Sequence, residues 1–219
     1  MRRQELVQRP QSVDADYPGV SGVAFTWGSR PDERAARFPC DTLVPDPDVT
    51  LFRAITVAAP AALTFRWLCQ LRAAPYSYDW LDNGGRQSPR RLTSGMDDLA
   101  LGQRVMYIFR LADYARDRHL TLTLGGRWAR LFGEGAITYR VVATTSEASR
   151  IVVKLAMRYP WWGRWRVARA FFAYGDLIMM RKQLRTFKEL AEAMMRRECS
   201  RMPAVVGRAP HTRGAAEDR

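Results

Sequence analysis

Histidine and cysteine are scarce in this chain of 219 residues, which limits the chemistry that it can perform. The two histidines, His119 and His211, are far apart, and the three cysteines, Cys40, Cys69 and Cys199, form no C-x-x-C pair. An odd number of widely separated cysteines argues against a disulfide framework or a zinc site and fits a reducing compartment. Two distant histidines do not suit a catalytic triad or a metal cluster. We therefore expect neither a metal nor another cofactor.

Long apolar runs and nucleotide-binding motifs are also absent from the sequence. No stretch of roughly 18 apolar residues is free of charge, which excludes an ordinary membrane-spanning helix. The first residues lack the apolar segment of a signal peptide, and we predict a cytoplasmic protein. Ser77 lacks a G-x-S-x-G context, and the glycines at 125–126 and 133–135 lack the lysine of a phosphate-binding loop. Hydrolase, kinase and dehydrogenase activities therefore lose their usual support.

Lysine is scarce too, although the formal net charge is +13. Only three of the 35 cationic residues are lysines, and the arginines are scattered along the chain. We interpret this pattern mainly as a coding bias toward arginine, because no nucleic-acid-binding motif accompanies the charge. The sequence thus argues against nucleic acid as a partner and leaves an anionic membrane surface as an alternative.

The apolar content of 47% predicts a globular protein with one hydrophobic core. The lead-in to the folded part contains three prolines close together, which argue against regular structure there. We divide the chain into a flexible N-terminal arm (1–24), an extended lead-in that packs on the domain (25–50), one folded domain (51–197) and a disordered basic tail (198–219).

The folded part begins with a strand and a helix, and four further strands follow. Residues 51–57 alternate as a strand does, and residues 60–71 have a helical apolar face. Short, turn-rich links predict that the later strands form an antiparallel meander of the runs 103–111, 119–124, 136–144 and 150–159. The first of these runs is apolar on both faces, which indicates a central strand. In the second, leucines face inward and threonines outward.

A long helix is predicted at 167–196, and the rest of the chain is arranged around it. Its apolar residues recur at steps of three and four and form one stripe: Ala173, Leu177, Met180, Leu184, Phe187, Ala191 and Met194. The first half is apolar nearly all round, so we expect burial on more than one side. The predicted fold class is α+β, a helix-grip architecture in which a curved antiparallel sheet wraps around this helix and leaves a cavity between them.

Four segments carry a resemblance to a known family: 55–60, 65–70, 74–83 together with 88–90, and 175–184. They resemble the SRPBCC superfamily, which includes START domains, birch-pollen-allergen-like proteins and bacterial polyketide-cyclase-like proteins. The resemblance implies a deep pocket that receives a hydrophobic small molecule. It carries over no catalytic residues. Residues 71–75 depart from the pattern, because the link there is shorter and stiffer than the Gly-rich link of many relatives.

Asp176 is the most informative polar residue, because it lies on the apolar half of the long helix. A buried carboxylate needs a partner or a raised pKa, and Arg104, Arg110 or Arg158 could supply the charge. Both a structural ion pair and a ligand-binding group remain open. The predicted ligand-binding residues combine Asp176 with apolar and aromatic side chains: Trp67, Tyr76, Tyr78, Trp80, Tyr107, Leu122, Tyr139, Val153, Met157, Phe172 and Met179.

A cluster of tryptophans and arginines precedes the long helix. We predict that five residues contact a membrane: Trp161, Trp162, Arg164, Trp165 and Arg166. The alternative is that the tryptophans fold back and cover the start of the helix.

The sequence therefore predicts a cytoplasmic protein, open to peripheral membrane contact, that binds a hydrophobic small molecule or lipid in an internal cavity. Two other functions remain open. One is a polyketide cyclase or dehydratase that moves protons with Asp176, Tyr76, Tyr78 or Tyr107. The other is a membrane-associated lipid-transfer protein.

Overall fold

The computed structural model describes residues 22–160 and 166–201. Seven α-helices, six strands and one 3₁₀ turn (Gln70–Arg72) follow one another along these residues. The helices are α1 (Val23–Thr26), α2 (Pro31–Ala35), α3 (Cys40–Leu43), α4 (Ala61–Cys69), α5 (Asp79–Asp82), α6 (Gly126–Phe132) and α7 (Arg166–Arg201). The strands are β1 (Val49–Val57), β2 (Arg104–Val105), β3 (Phe109–Ala115), β4 (His119–Leu124), β5 (Glu134–Ala143) and β6 (Ser149–Arg158).

The six strands form one antiparallel sheet in the order β1-β6-β5-β4-β3-β2. The long helix α7 packs against this sheet, and the two together form a helix-grip-like α+β fold, as the sequence predicted. Strands 51–57, 119–124, 136–144 and 150–159 are confirmed as β1, β4, β5 and β6. Helix 60–71 is confirmed as α4 and the 3₁₀ turn that continues it.

The prediction of one central strand over 103–111 is wrong. The segment is a hairpin at the edge of the sheet, in which Arg104 pairs with Arg110 and Val105 pairs with Phe109. Met106 and Tyr107 form the turn with φ of 45° and 61°, a left-handed conformation that no strand contains. The apolar residues of this run therefore do not fill two faces of a central strand; part of them forms a loop beside α7.

The inner face of the sheet packs against α4 and α7. On α7, the predicted stripe is confirmed at its centre, where Leu184, Phe187 and Ala191 are almost fully buried. The expectation that the first half of α7 is buried on more than one side is wrong. Phe171, Ile178 and Tyr174 lie on the side that faces away from the sheet, and they are 81%, 55% and 42% exposed.

Part of the outer face of the sheet is covered by the short helix α3, whereas α1 lies against β1 and α7. Thr121 and Thr138 face outward, as expected for Thr121, yet both are fully buried. Their hydroxyls lie 3.0 Å apart, and the backbone N–H of Cys40 donates to Thr138 Oγ1 over 3.1 Å. The proline-rich part of the lead-in therefore forms a helical turn, α3, where no regular structure was expected. The domain boundaries proposed above remain predictions.

Candidate functional site: a cavity between the sheet and the long helix

A cavity of about 420 Å³ lies between the inner face of the sheet and the first half of α7. This volume falls within the range of roughly 300–1,000 Å³ that is typical of small-molecule sites. Strands β3 to β6 and α6 form one side of the wall, α7 forms the other, and residues 75–77 and the 106–109 turn complete it. The lining residues are mostly apolar: Pro75, Ser77, Met106, Tyr107, Ile108, Phe109, Leu124, Phe132, Ile137, Tyr139, Leu155, Met157, Phe172, Asp176, Met179, Met180 and Gln183.

Half of the twelve predicted ligand-binding residues line this cavity. They come from the β2–β3 turn, from β5, from β6 and from α7: Tyr107, Tyr139, Met157, Phe172, Asp176 and Met179. The helical spacing of Phe172, Asp176 and Met179 directs all three to one side of α7. The structure thus brings these six side chains together at one site.

The other six predicted residues lie outside the cavity lining. Trp67, Tyr76, Leu122 and Val153 are almost fully buried in the hydrophobic core. Tyr78 is partly buried before α5, and Trp80 is 73% exposed. Aromatic density alone therefore did not distinguish residues that plug the core from residues that face the cavity.

Tyr76 has an unusual backbone and an unpaired hydroxyl. Its φ is 59°, and the ring packs edge-on against Trp67 and at 5.1 Å from Phe187. Among the described residues, neither the Tyr76 hydroxyl nor Trp67 Nε1 has a hydrogen-bond partner. Burial raises the pKa of Tyr76 above its ordinary value, so this tyrosine stays protonated at neutral pH.

Asp176 pairs with Arg53, which is not among the partners expected from the sequence. Arg53 Nη2 donates to Asp176 Oδ2 over 2.8 Å, and the arginine side chain is only 1% exposed. The predicted partners are wrong: Arg110 donates to Gly102 O and Arg158 pairs with Glu134, while Arg104 lies on edge strand β2.

Strand alternation could have identified this partner. Arg53 is paired with Val153, whose side chain is part of the inner core, and its β1 neighbours Leu51 and Ile55 belong to the same core. An arginine in the inward-facing series of a strand must meet a carboxylate or a set of carbonyls. Arg53 meets both, because it also donates to the carbonyls of Phe52 and Ala173.

The environment of Asp176 raises the pKa of its carboxyl from 3.8 to about 6. Burial is the main cause, and the nearby Arg53 guanidinium opposes it by favouring the charged form. Burial likewise lowers the pKa of Arg53, against the attraction of Asp176. At this carboxyl, burial therefore outweighs the attraction of Arg53, and the pKa stays above its ordinary value.

Gln183 is a polar lining residue that the sequence analysis missed. Tyr139 donates its hydroxyl hydrogen to Gln183 Oε1 over 2.8 Å, and Gln183 Nε2 donates to the carbonyl of Pro75 over 2.6 Å. Burial raises the pKa of Tyr139, and the hydrogen bond to Gln183 opposes this shift. The available signal was the position of Gln183 beside Leu184, next to the apolar stripe of α7. This chain of bonds ties β5, α7 and the segment before α5 together.

The five predicted membrane contacts lie outside the described part of the structure, which omits residues 161–165 and the side chain of Arg166. None of the described helices is long and apolar enough to cross a bilayer.

No protein-family model matches the chain, and no curated protein has significant sequence similarity to it. Several solved structures are similar. The structure of a Thermobifida fusca protein has 14% identity and a TM-score of 0.46, and the match covers 66% of this chain and 94% of that one.

Two further similar structures are of proteins whose names include a superfamily or an activity. A START superfamily protein from Mycobacterium smegmatis has 14% identity and a TM-score of 0.44, with 66% of this chain and 98% of that chain covered. The di-domain ARO/CYC BexL from the BE-7585A biosynthetic pathway has 13% identity and a TM-score of 0.46, and the match covers 67% of this chain but only 47% of BexL. A START superfamily protein is thus among the solved structures that this chain is similar to.

Proposed function

We propose that this protein binds a hydrophobic small molecule or lipid in the cavity between the sheet and α7. The observation that carries the proposal is the cavity itself: about 420 Å³ of space with a predominantly apolar wall. An unfilled apolar space of this size lowers stability, because the surrounding side chains lose contacts that a packed core would supply. A ligand restores those contacts and removes apolar surface from water.

A cavity-filling substitution tests this proposal directly. Ile137 is buried in β5 and lines the cavity, so Ile137→Phe should occupy part of the space. We expect Ile137→Phe to weaken the binding of a fluorescent fatty-acid or polyaromatic probe at least tenfold, and Ile137→Leu, which conserves volume, to change it little. Circular dichroism on both variants verifies the fold. Failure of the wild-type protein to bind any of these probes would overturn the proposal.

A second candidate function, peripheral attachment to a membrane, is favoured by the exposed stripe on α7. Phe171, Tyr174 and Ile178 follow one another at helical spacing, and their exposure in water is unfavourable. On the helical wheel, Gly175 lies between this stripe and the cavity-lining Met179. A bilayer that covers the stripe would lie next to the cavity, and a lipid could then move between the bilayer and the cavity.

Vesicle co-sedimentation tests the attachment. We expect Phe171→Ala combined with Ile178→Ala to reduce binding to vesicles that contain anionic lipid at least fivefold. Val142→Ala is the matched control, since Val142 is an exposed apolar residue near the end of β5 and does not line the cavity. Equal binding by the double variant and the control would contradict the role of the stripe.

The alternative of a cyclase or dehydratase has less support. Of the four side chains predicted to move protons, Asp176 and Tyr107 line the cavity, whereas Tyr76 and Tyr78 do not. Tyr107 donates its hydroxyl hydrogen to Asn83 Oδ1 over 3.1 Å. We therefore place binding ahead of catalysis, and turnover of a polyketide-like chain that is lost in Asp176→Asn would reverse that order.

A further inference from the structure

The polar groups of the cavity wall differ in whether the protein already satisfies them. Tyr139 and Gln183 are bonded to each other, and the Gln183 amide also donates to the carbonyl of Pro75. The Tyr107 hydroxyl donates to Asn83. These groups hold the wall in place, and their main hydrogen-bonding capacity is used within the protein.

Asp176 is different, because only one of its carboxylate oxygens is bonded. Oδ2 accepts from Arg53, whereas Oδ1 accepts no hydrogen bond from any residue that the structure describes. The side chain keeps 14% of its exposure and lines the cavity. A carboxylate oxygen in an apolar wall without a donor is unfavourable, so the site is suited to a ligand that donates a hydrogen bond.

The charges around Asp176 limit which kind of hydrogen-bond donor a ligand can present to its carboxylate. Its ion-pair partner is the Arg53 guanidinium from β1, and the neutral Tyr139 phenol from β5 lines the same cavity. With Arg53, the carboxylate forms a pair of zero net charge. An anionic head group would add an uncompensated negative charge beside Asp176. An ammonium group would leave the pair with a net positive charge in an apolar cavity, where a desolvated ion is strongly disfavoured.

We propose that the cavity selects a neutral, largely apolar molecule that carries a hydroxyl group, and that this hydroxyl donates to Asp176 Oδ1. The inference rests on the proposed binding function and adds the chemical class of the ligand. The hydroxyl supplies the missing donor without adding a charge. The apolar remainder of the ligand lies against the methionines and aliphatic side chains of the wall.

Four probes of similar length separate the possible head groups: 1-decanol, nonyl methyl ether, decanoate and decylamine. Their affinities are measured by displacement of a fluorescent apolar dye at pH 7.5. We expect decanol to bind about tenfold tighter than the ether, which accepts but does not donate, because a hydrogen bond to a charged group contributes on this scale. We expect decanoate and decylamine to bind more weakly than decanol.

A substitution identifies the group that makes the selection. Asp176→Asn removes the negative charge and keeps the size, so the preference for decanol over decanoate should fall at least fivefold. Glu134→Gln is the matched control, because Glu134 carries an exposed carboxylate outside the cavity lining. The ratio of two affinities in one variant is insensitive to a general loss of stability.

The outcomes of this experiment are distinguishable. Equal binding of decanol and its ether, or tighter binding of decanoate or decylamine, overturns the hydroxyl preference and leaves the proposed binding function standing. An unchanged preference in Asp176→Asn also overturns the role of Asp176. Failure of all four probes and the dye to bind overturns both proposals.

Discussion

Arg53 Nη2 donates to Asp176 Oδ2 over 2.8 Å, and this bond joins β1 to the first half of α7 beside the cavity. Both side chains are largely removed from water, so the loss of one leaves the other without compensation. We expect Arg53→Met to lower the free energy of unfolding by about 3 kcal/mol at pH 7. Urea denaturation measures the effect.

A double variant and a surface pair provide the controls for this ion pair. Arg53→Met combined with Asp176→Leu should recover much of the lost stability, because no unpaired charge remains. Glu134→Gln disrupts the more exposed Arg158–Glu134 pair and should change stability by less than about 1 kcal/mol. A loss in the double variant equal to the sum of both single losses would contradict this account.

The pKa of Asp176 predicts a particular dependence of stability on pH. Its folded-state pKa of about 6 lies above the ordinary value of 3.8, so the folded protein binds the proton more tightly than the unfolded chain does. The contribution to stability is therefore fully present below about pH 4 and is lost as the pH rises through 6. Relative to Asp176→Asn, the wild-type protein should lose roughly 2 kcal/mol between pH 4 and 7. A relative gain of stability over this range would show that the pKa is lowered instead.

The Tyr139–Gln183 bond predicts a loss of stability that a surface tyrosine does not share. Tyr139→Phe removes the donor to Gln183 Oε1 in a fully buried environment and should lower the free energy of unfolding by about 1–3 kcal/mol. Tyr114→Phe is the matched control, because Tyr114 is 37% exposed and donates to the Leu99 carbonyl at the surface. Chemical denaturation of both variants makes the comparison, and equal losses would contradict the role assigned to Tyr139.

Gly133 predicts a backbone constraint at the end of α6 beside the cavity. Its φ is 94°, and a β-carbon there would overlap the carbonyl oxygen of Arg158 on β6. We expect Gly133→Ala to lower the melting temperature by more than 5 °C, since both the conformation and the space exclude a side chain. Gly126 lies at the start of the same helix, and a β-carbon there would meet no atom within 4 Å, so Gly126→Ala should leave the melting temperature nearly unchanged. Similar melting temperatures for both variants would refute the constraint.

Patterns of period two and of period 3.6 made most of the fold predictable from the sequence. The alternating residues of β4 and the stripe of α7 each identify one buried face. The prediction of a central strand over 103–111 failed because the turn with positive φ at Met106 and Tyr107 contains no glycine, asparagine or aspartate that would indicate a turn. The prediction that the first half of α7 is buried on more than one side failed for a related reason. Apolar residues on two sides of a helix do not reveal how deeply each side is buried.

The candidate site was only partly predictable, because a cavity depends on packing between distant segments. Asp176 could be singled out as a carboxylate among apolar neighbours, but its partner Arg53 lies 123 residues earlier and is recognisable only by its position in β1. Trp67 and Tyr76 pack against each other in the core, whereas Tyr139 reaches the wall. Residue type does not distinguish these outcomes; the packing of α4 and of the segment before α5 against the sheet does.

The most direct test of the central claim is a nuclear magnetic resonance titration of ¹³C-methyl-labelled methionine. Met106, Met157, Met179 and Met180 line the cavity, whereas Met96 and Met194 do not. With 1-decanol or nonyl methyl ether added, the account predicts shifts in the first four methyl resonances and none in the other two. No shift in the four cavity methionines, or equal shifts in all six, would contradict a ligand site between the sheet and the long helix.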